Sequence, residues 1–413
     1  MSRLHVFYRD ELVGIVSRPA PGSMHFQYED SWINSEAAFP ISVSLPLNNE
    51  RFSQVAASNF FANLLPEAHV RRRICKKLGI SEGNDFELLN AIGGDCAGAL
   101  TLTTNDAPPP LKQDYELITD EQLANWSIGA PDAFSAVTGQ QGVRLSLAGA
   151  QDKLPVMFKG GQFLLPVGNS PSTHILKFAS RDYSHLPENE TFITMLAASI
   201  GLPTVTIELS PTEKSRIAVV TRYDRKPLPD GYSRIHQEDF CQAMGINPNN
   251  KYEKEGGPGF QDCVELIKQS CSVPALEIDK LIRWSLFNLM VHNADAHGKN
   301  LSLIFRGRTT ELTPFYDLVC TRNYENLDRK MAMTYSGKDD PAQIHKQHLI
   351  EFANQIGVST GLVADALPKL QQDLSAAIPK AAATFAKLYG ESPILERLPM
   401  IVQKRMNKAM QSF

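Results

Sequence analysis

The sequence predicts an α+β fold in which a region of mixed strands and helices precedes a mainly helical region. Short runs that alternate apolar and polar residues are concentrated before residue 223, and such runs favour strands. From residue 237 onward, apolar residues recur mostly at helical spacing. The chain has 413 residues, which exceeds the roughly 250 to 300 at which one hydrophobic core stops growing. We therefore expect more than one packed unit.

Composition and charge exclude several classes of protein. Hydrophobic residues make up 43% of the chain and charged residues 21%, which is typical of globular proteins and not of disordered or fibrous ones. The formal net charge of −4 lacks the basic character of an autonomous nucleic-acid-binding protein. The six cysteines form no CxxC pair, so neither a zinc site nor a disulfide framework is indicated. These features favour a reducing, cytoplasmic location.

No segment of the sequence is expected to enter a membrane. Residues 1–5 already alternate polar and apolar side chains and lack the apolar core of a signal peptide. The most apolar helical stretch, residues 281–291, is interrupted by Arg283 and Asn288. It is also far shorter than the ~20 residues that a membrane-spanning helix needs. We therefore expect no membrane partner.

Residues 1–104 are expected to form a small α+β subdomain. Two short alternating runs within residues 4–17 predict a β-hairpin. Apolar residues between 56 and 79 recur at helical spacing, and Pro66 predicts a break into two helices. The proline-rich stretch 105–110 cannot be helical and favours an extended backbone. It therefore marks the end of the subdomain.

The polar face of the second of these helices is strongly basic. A nucleic-acid-binding surface and an ordinary solvated helix face both fit such a run of charge, and the solvated face is the commoner arrangement. Both interpretations stay open at this point. The basic residues are Arg71, Arg72, Arg73, Lys76 and Lys77.

The remaining chain divides into three predicted segments. Residues 105–141 form a linker with a short helix, which begins at the capping box of Thr119. Residues 142–226 are expected to form an α/β lobe, and residues 227–413 a mainly α-helical lobe. In the α/β lobe we predict strands at 153–158, 162–167, 174–178, 205–209 and 217–222, and a helix at 188–200. In the helical lobe we predict helices at 239–244, 260–270, 277–291, 348–355 and over most of 362–410.

A polar loop at residues 292–300 follows an apolar helix and carries the most informative residues. Asp295 and Asn300 are five positions apart, as are the base and the magnesium-binding asparagine of the protein-kinase catalytic loop. Phosphoryl transfer needs a carboxylate that orients and deprotonates the attacking hydroxyl, and a neutral oxygen that helps to hold the metal. Lys299 would add positive charge beside the transferred group. The spacing alone is weak support, because it arises often by chance.

Three further residues occur in the order that a phosphotransferase needs. Asp317 follows a short strand-like segment, where a kinase has its main magnesium ligand. Lys177 lies in a predicted strand and Glu190 on the next helix, which suits a lysine that binds phosphates and is held by a carboxylate. Each residue also has a simpler explanation: Asp317 as a turn aspartate, Lys177 as an edge-strand lysine and Glu190 as a glutamate in the first turn of a helix. These explanations stay open for each residue taken alone.

The segment 146–153 contains small residues before a predicted strand. Gly149 and its alanine neighbours would let backbone N–H groups approach phosphate oxygens closely. The segment has neither a Walker A nor a G-x-G-x-x-G pattern. An ordinary turn between two strands explains it equally well, so we treat phosphate binding here as a hypothesis.

These segments resemble the HipA family of toxin kinases, and the resemblance covers nearly the whole chain. The N-terminal subdomain is similar to the family at residues 60–67 and 92–100. The resemblance implies a two-lobed protein-kinase-like fold, with ATP bound between an α/β lobe and a helical lobe. The kinase core is similar to the family at residues 146–153, 173–177, 237–242, 251–253, 256–259, 295–300 and 313–317.

The resemblance also implies ATP and Mg²⁺ as cofactors and a role for each matching residue. Asp295 is the implied catalytic base, and Asn300 and Asp317 are the implied magnesium ligands. Glu190 is the implied structural ion-pair residue. Ser146 is the implied autophosphorylation site, where about −1.5 to −2 charges would enter the phosphate loop and inactivate the kinase. The implied ATP-binding residues are Ala148, Gly149, Ala150, Gln151, Asp152, Lys153, Lys177, Thr221, Arg222, Tyr223, His297, Gly298, Lys299, Asn300, Tyr316 and Asp317.

Partners are implied by the same resemblance. The family works beside a small HipB-like helix-turn-helix antitoxin, and the complex binds operator DNA and represses the shared operon. The acidic balance of this chain agrees with DNA contact through the antitoxin. The implied protein substrate is an aminoacyl-tRNA synthetase, in particular glutamyl-tRNA synthetase. Two alternatives stay open: a small-molecule phosphotransferase of kinase-like fold, and a catalytically silent corepressor.

Overall fold

The computed structural model describes residues 2–20, 23–110, 112–128, 133–149, 151–180, 182–212 and 215–409. The strands are β1 (Ser2–Tyr8), β2 (Glu11–Arg18), β3 (His25–Tyr28), β4 (Leu100–Thr103), β5 (Asp114–Leu117), β6 (Lys153–Lys159), β7 (Gln162–Val167), β8 (His174–Lys177), β9 (Ile207–Pro211), β10 (Arg216–Thr221), β11 (Arg225–Leu228), β12 (Gly231–Arg234), β13 (His236–Asp239), β14 (Ser302–Arg306) and β15 (Thr309–Leu312). The helices are α1 (Asp30–Ile33), α2 (Gln54–Ala62), α3 (Ala68–Leu78), α4 (Asp85–Ile92), α5 (Asp120–Trp126), α6 (Ala133–Val137), α7 (Leu186–Ser199), α8 (Phe240–Ala243), α9 (Phe260–Ser270), α10 (Pro274–Val291), α11 (Lys346–Gln355), α12 (Thr360–Tyr389) and α13 (Ile394–Ala409).

The chain folds into two compact units. Unit 1 is mixed α and β, and unit 2 is mainly helical. Each unit consists of three separate stretches of chain, because segments that are distant in sequence pack together. The four segments expected from the sequence are a different division and stay predictions. Unit 1 contains residues 1–180, 211–249 and 303–308, and unit 2 contains residues 181–210, 250–302 and 309–413.

The first sheet of unit 1 has the strand order β3-β2-β1-β4. β1 and β2 pair in antiparallel register, which confirms the predicted hairpin. The apolar side chains of β1 to β3, such as Leu4, Val16 and Phe26, are fully buried in a core that α2 and α3 share. α2 ends at Ala62 and α3 begins at Ala68, so the predicted break at Pro66 is confirmed.

Arg71 and Lys77, among the five basic residues on α3, make contacts within unit 1. Arg71 forms an ion pair with Asp85, and its Nε donates a hydrogen bond to the carbonyl of Glu82 at 2.9 Å. Lys77 donates from Nζ to the carbonyl of Ser135 at 2.6 Å. These contacts attach α3 to neighbouring segments. They favour the structural interpretation of this part of the basic run.

A second sheet of unit 1 contains β5-β7-β6-β8-β10 in that order. β6 and β7 form an antiparallel hairpin, whose turn contains Gly160 and Gly161 at φ 61° and 79°. These positive φ angles favour glycine. The strands predicted at 153–158 and 162–167 are confirmed. The hairpin of β11 and β12 was not predicted. Its signal was the Pro229-Asp230-Gly231 sequence, which is typical of a tight turn.

Asp95 lies at the centre of a buried cluster of charges in unit 1. Its carboxylate contacts the guanidinium groups of Arg225 at 2.8 Å, Arg234 at 2.9 Å and Arg222 at 3.4 Å. Burial alone would raise the pKa of this carboxyl, but the three arginines and a hydrogen bond from Ser172 outweigh burial and hold the pKa far below its usual range. The cluster fixes the segment after β10 to the N-terminal subdomain.

Unit 2 is organised around the long helix α10. Pro274 begins the helix, where a missing N–H has no cost and the fixed φ suits the first turn. α9 and α13 pack against α10, and α7 packs against α12. The predicted helices at 260–270 and 277–291 are confirmed by α9 and α10. Among the described residues, no helix combines the length and the apolarity needed to cross a membrane.

Candidate active site

The polar loop after α10 is anchored at its first residue. His292 ends the helix in the left-handed conformation, at φ 54°. Its carbonyl accepts hydrogen bonds from the backbone N–H of Thr321 at 3.1 Å and from Oγ1 of Thr321 at 2.8 Å. Its Nε2 lies 3.1 Å from the carbonyl of Arg329. Burial lowers the pKa of the imidazole to about 4, so the ring is neutral and can donate to this carbonyl.

The buried side chain of Asn293 joins the two segments that carry the predicted aspartates. Its Oδ1 accepts a hydrogen bond from the N–H of Asp295 at 3.3 Å. Its Nδ2 donates to the carbonyl of Asp317 at 3.3 Å and to Oδ1 of Asn288 at 2.9 Å. Unit 2 therefore brings Asp295 and Asp317 together. Sequence reasoning missed Asn293, because an asparagine in a polar loop has no distinguishing pattern.

Asp295 is presented to solvent by a loop that is otherwise buried. Its side chain is 52% exposed, whereas His297, Lys299 and Asn300 are each buried. Oδ1 of Asp295 accepts a hydrogen bond from the phenol of Tyr252 at 2.6 Å and lies 3.9 Å from Nε2 of His297. Oδ2 accepts no hydrogen bond from the residues that the structure describes. That oxygen can accept a proton from an incoming hydroxyl.

Asn300 is oriented so that its side-chain oxygen can serve as a ligand. Its Nδ2 donates to the carbonyl of Asp295 at 2.9 Å, and its Oδ1 has no hydrogen-bond partner within the described ranges. The hydroxyl of Tyr316 donates to the carbonyl of Lys299 at 2.8 Å, which ties the segment before Asp317 to the segment before Asn300. A carboxylate and an amide oxygen are the hard donors that Mg²⁺ prefers. The residues fit that ion.

The segment after Asp317 is held by α7. Asp317 has a φ of 55°, so the chain turns sharply at this residue. Three positions later, Cys320 forms two hydrogen bonds with Asn189. Nδ2 of Asn189 donates to the carbonyl of Cys320 at 3.0 Å, and the N–H of Cys320 donates to Oδ1 of Asn189 at 2.9 Å. Asn189 was missed by sequence reasoning. The predicted Glu190 is its neighbour and is 3% exposed.

The predicted phosphate loop of unit 1 is packed against the N-terminal subdomain. Ser146 is fully buried, and its Oγ donates to the carbonyl of Leu64 at 2.7 Å. The carbonyl of Gly149 accepts from the N–H of Glu67 at 3.1 Å, and Gly149 has a φ of 109°, which only glycine adopts readily. The predicted Ala150 lies outside the described residues.

Asp152 has a structural contact that the sequence did not predict. Its carboxylate accepts hydrogen bonds from the N–H groups of Ala133 at 2.9 Å and Phe134 at 3.3 Å. These are donors at the first turn of α6, which otherwise have no partner within the helix. The side chain of Asp152 therefore caps α6, and a role in nucleotide binding would fall to its backbone.

Lys153 and Lys177 lie directly opposite each other on β6 and β8. Lys177 is 4% exposed. Nζ of Lys153 lies 2.7 Å from the position that a Cβ at Gly149 would occupy. Nearby in sequence, Nε2 of Gln151 is buried without a hydrogen-bond partner in the described part of the chain. These donors fit phosphate oxygens.

The implied ATP-binding segment at residues 221–223 contains two side chains that contact other parts of the protein. The guanidinium of Arg222 is buried and forms an ion pair with Asp224 at 2.7 Å, in the cluster around Asp95. Thr221 is exposed, and the hydroxyl of Tyr223 is hydrogen-bonded to Gln237. Any contact of Arg222 with adenine would therefore use its backbone.

Comparison with known proteins gives the family. Residues 4–103 match the model of the HipA N-terminal domain, and residues 145–382 match the model of the HipA-like C-terminal domain. The chain belongs to the HipA family. A relative in Shewanella oneidensis, named serine/threonine-protein kinase toxin HipA, is 32% identical over 390 residues, which cover 91% of this chain and 88% of the relative. The Y4mE protein of Sinorhizobium fredii is 38% identical over 394 residues, which cover 94% of each chain.

A solved structure of the family has the same fold. It is the Shewanella oneidensis MR-1 complex of HipA, HipB and operator DNA. The match has a TM-score of 0.86 at 28% identity and covers 98% of this chain and 96% of that chain. The predicted fold class, α+β with the protein-kinase-like architecture of HipA proteins, is therefore confirmed.

Proposed function

We propose that this HipA-family chain is an ATP- and Mg²⁺-dependent serine/threonine protein kinase, and that it acts as the toxin of a toxin–antitoxin module. The observation that carries the proposal is the loop of unit 2, which holds Asp295 half exposed and hydrogen-bonds it to the segments of Asn300 and Asp317. The name of the Shewanella oneidensis relative supports the same activity.

In this proposal Asp295 is the catalytic residue. Its Oδ2 orients the attacking hydroxyl and takes its proton as the hydroxyl oxygen bonds to the γ-phosphorus of ATP, while the bond from that phosphorus to ADP breaks and ADP leaves. Asn300 and Asp317 would hold Mg²⁺, which when bound neutralises charge on the phosphates. Lys153 and Lys177, which face each other in the sheet, would bind phosphate oxygens of ATP. Both are arranged before the nucleotide arrives, so little reorganisation is needed.

Autophosphorylation of Ser146 would act as an off-switch. The hydroxyl is fully buried and donates to the carbonyl of Leu64, so the segment must leave this position before the hydroxyl can react. A phosphoryl group carries about −1.5 to −2 charges. Such a charge could not return to a buried site without a paired cation. The modified loop would stay displaced and ATP binding would be lost.

The proposed partners follow the solved relative, which is bound to HipB and operator DNA. We infer a helix-turn-helix antitoxin for this chain, with most of the DNA contact made by the antitoxin. The net charge of −4 agrees with that division of roles. For the substrate we propose a translation protein such as glutamyl-tRNA synthetase.

Brief induction in a bacterial host tests the function. Wild-type chain is expected to arrest growth and to add phosphate to a small set of host proteins, identified by phosphoproteomics. The matched variant Asp295→Gln is expected to do neither while it reaches the same soluble level. Equal toxicity of the two proteins would contradict kinase action. Phosphorylation of a small metabolite instead of any protein would favour the small-molecule phosphotransferase.

A further inference from the structure

Tyr252 contacts the proposed catalytic carboxylate; the sequence placed residues 251–253 in a segment similar to the kinase core, but it predicted no role for Tyr252. Its phenol donates a hydrogen bond to Oδ1 of Asp295 at 2.6 Å. We propose that Tyr252 is a positioning residue, which fixes the rotation of the Asp295 carboxylate so that Oδ2 meets the acceptor hydroxyl. The inference rests on the proposed kinase function and adds a residue to its machinery.

The backbone around Tyr252 is fixed by several contacts. The carbonyl of Tyr252 accepts hydrogen bonds from the N–H groups of Glu255 and Gly257, both at 2.9 Å. A Cβ at Gly257 would lie 2.3 Å from the carbonyl oxygen of Asn250, so the turn closes tightly and only glycine fits. The neighbouring Glu253 accepts a hydrogen bond from the hydroxyl of Thr334 at 2.9 Å. Tyr252 therefore extends from a rigid turn.

The ring of Tyr252 is also oriented. It meets the imidazole of His297 edge to face, with ring centroids 5.2 Å apart and an interplanar angle of 83°. His297 is buried and belongs to the same loop as Asp295. The N–H of Gly298 donates to the carbonyl of Lys251 at 3.4 Å, which links the two loops through their backbones. Tyr252 and Asp295 thus form one assembly.

The carboxylate needs such a contact because little else restrains it. The Asp295 side chain is 52% exposed, and rotation about the last bond of an aspartate is broad and roughly two-fold. A hydrogen bond to a charged acceptor is roughly twice as strong as a neutral one. Tyr252 can therefore hold Oδ1 in place. Oδ2 remains open to the hydroxyl of a substrate, which must come within hydrogen-bond reach for general-base catalysis.

Removal of the phenolic oxygen tests the role. Tyr252→Phe keeps the ring and its contact with His297. The matched control is Tyr232→Phe, which removes a phenol from β12 in unit 1. We expect the initial rate of phosphate transfer from labelled ATP to fall about 10-fold in Tyr252→Phe, a part of the 10²- to 10⁴-fold that a general base supplies. The KM for ATP and the stoichiometry of Mg-ADP binding should match wild type, as should every property of Tyr232→Phe.

Each other outcome overturns the proposal. An unchanged rate would show that the hydrogen bond does not position the base. A faster rate would show that the phenol occupies the place of the acceptor. A slower rate with proportionally less Mg-ADP bound would assign the effect to misfolding. If wild type is active and Asp295→Asn is not, the kinase function stands whatever Tyr252→Phe does; if wild type transfers no phosphate, both proposals fail.

Discussion

Asp295, the proposed catalytic base, and Ser146, the proposed phosphorylation site, have opposite surroundings in the structure. Asp295 projects from a buried loop with half of its side chain exposed and one oxygen open. Ser146 is fully buried, and its hydroxyl is bonded to the carbonyl of Leu64. The difference teaches that, in the proposed kinase, the carboxylate of unit 2 would be accessible before substrate binds, whereas the proposed modification of Ser146 would need the unit 1 loop to open first.

The largest expected effect comes from a substitution in the proposed catalytic residues of unit 2. Asp317→Asn removes the charge of the proposed magnesium ligand while the segment keeps its hydrogen bonds to Asn293 and Asn189. Because a bound metal ion supplies several kcal/mol of transition-state stabilisation, phosphate transfer should fall on the order of 1,000-fold. Nucleotide affinity, measured by calorimetry with and without Mg²⁺, should lose most of its metal dependence. Full activity of this variant would contradict the assignment.

The buried position of Ser146 depends on Asp95. The carbonyl of Asp95 accepts a hydrogen bond from the N–H of Ser146 at 3.0 Å. Asp95→Asn would remove one of the two carboxylates that the buried guanidinium groups of Arg222 and Arg225 share, while Asp224 still contacts both. Breaking a buried pair in this way costs about 3–5 kcal/mol. We expect that loss in the free energy of unfolding of unit 1, together with faster hydrogen exchange at Ser146. The exposed Asp106→Asn is the control, and equal stability of the two variants would contradict the account.

The loop of Asp295 should respond to pH through His292. Its pKa is lowered to about 4 in the folded protein by burial, against about 6.5 when unfolded. At pH values between these two pKa values, the unfolded state therefore binds more protons than the folded state. Stability is lost as the pH falls from about 6.5 to about 4. The loss should be on the order of 2–3 kcal/mol. Chemical denaturation of wild type and His292→Gln across this pH range measures the loss. The same pH dependence of the unfolding free energy in both proteins would contradict the prediction.

The smallest expected effect concerns the hydroxyl of Ser146. Ser146→Ala removes one buried hydrogen bond and leaves the carbonyl of Leu64 without that donor. The expected cost is about 1 kcal/mol of unfolding free energy. Chemical denaturation of Ser146→Ala, with the exposed Ser81→Ala as control, measures it. A more stable Ser146→Ala would show that the hydroxyl does not help to hold the closed loop.

Local patterns were sufficient to predict most elements of the fold. The hairpin of β1 and β2, the break at Pro66 and the capping box of α5 each depend on residues that are close in sequence. The hairpin of β11 and β12 was missed because its strands are short and charged. The contacts that build the site are different in kind. Asn189 meets Cys320 across 131 positions, and Tyr252 meets Asp295 across 43.

Residue type and spacing gave candidates for chemistry, which stay predictions, but did not show which of these side chains are already used by the fold. Asp295 and Asn300 lie together as the five-residue spacing indicated. Asp152 caps α6, and Arg222 belongs to a buried ion cluster. Neither use leaves a mark in the sequence, because both partners become neighbours only when the chain has folded.

The most direct test is the intact mass of the purified chain after incubation with Mg-ATP, compared with Asp295→Asn treated in the same way. We predict that wild type gains phosphate, that peptide mapping places it on Ser146, and that the variant gains none. Phosphate on the variant at the wild-type rate, or none on wild type under any condition, would contradict the account.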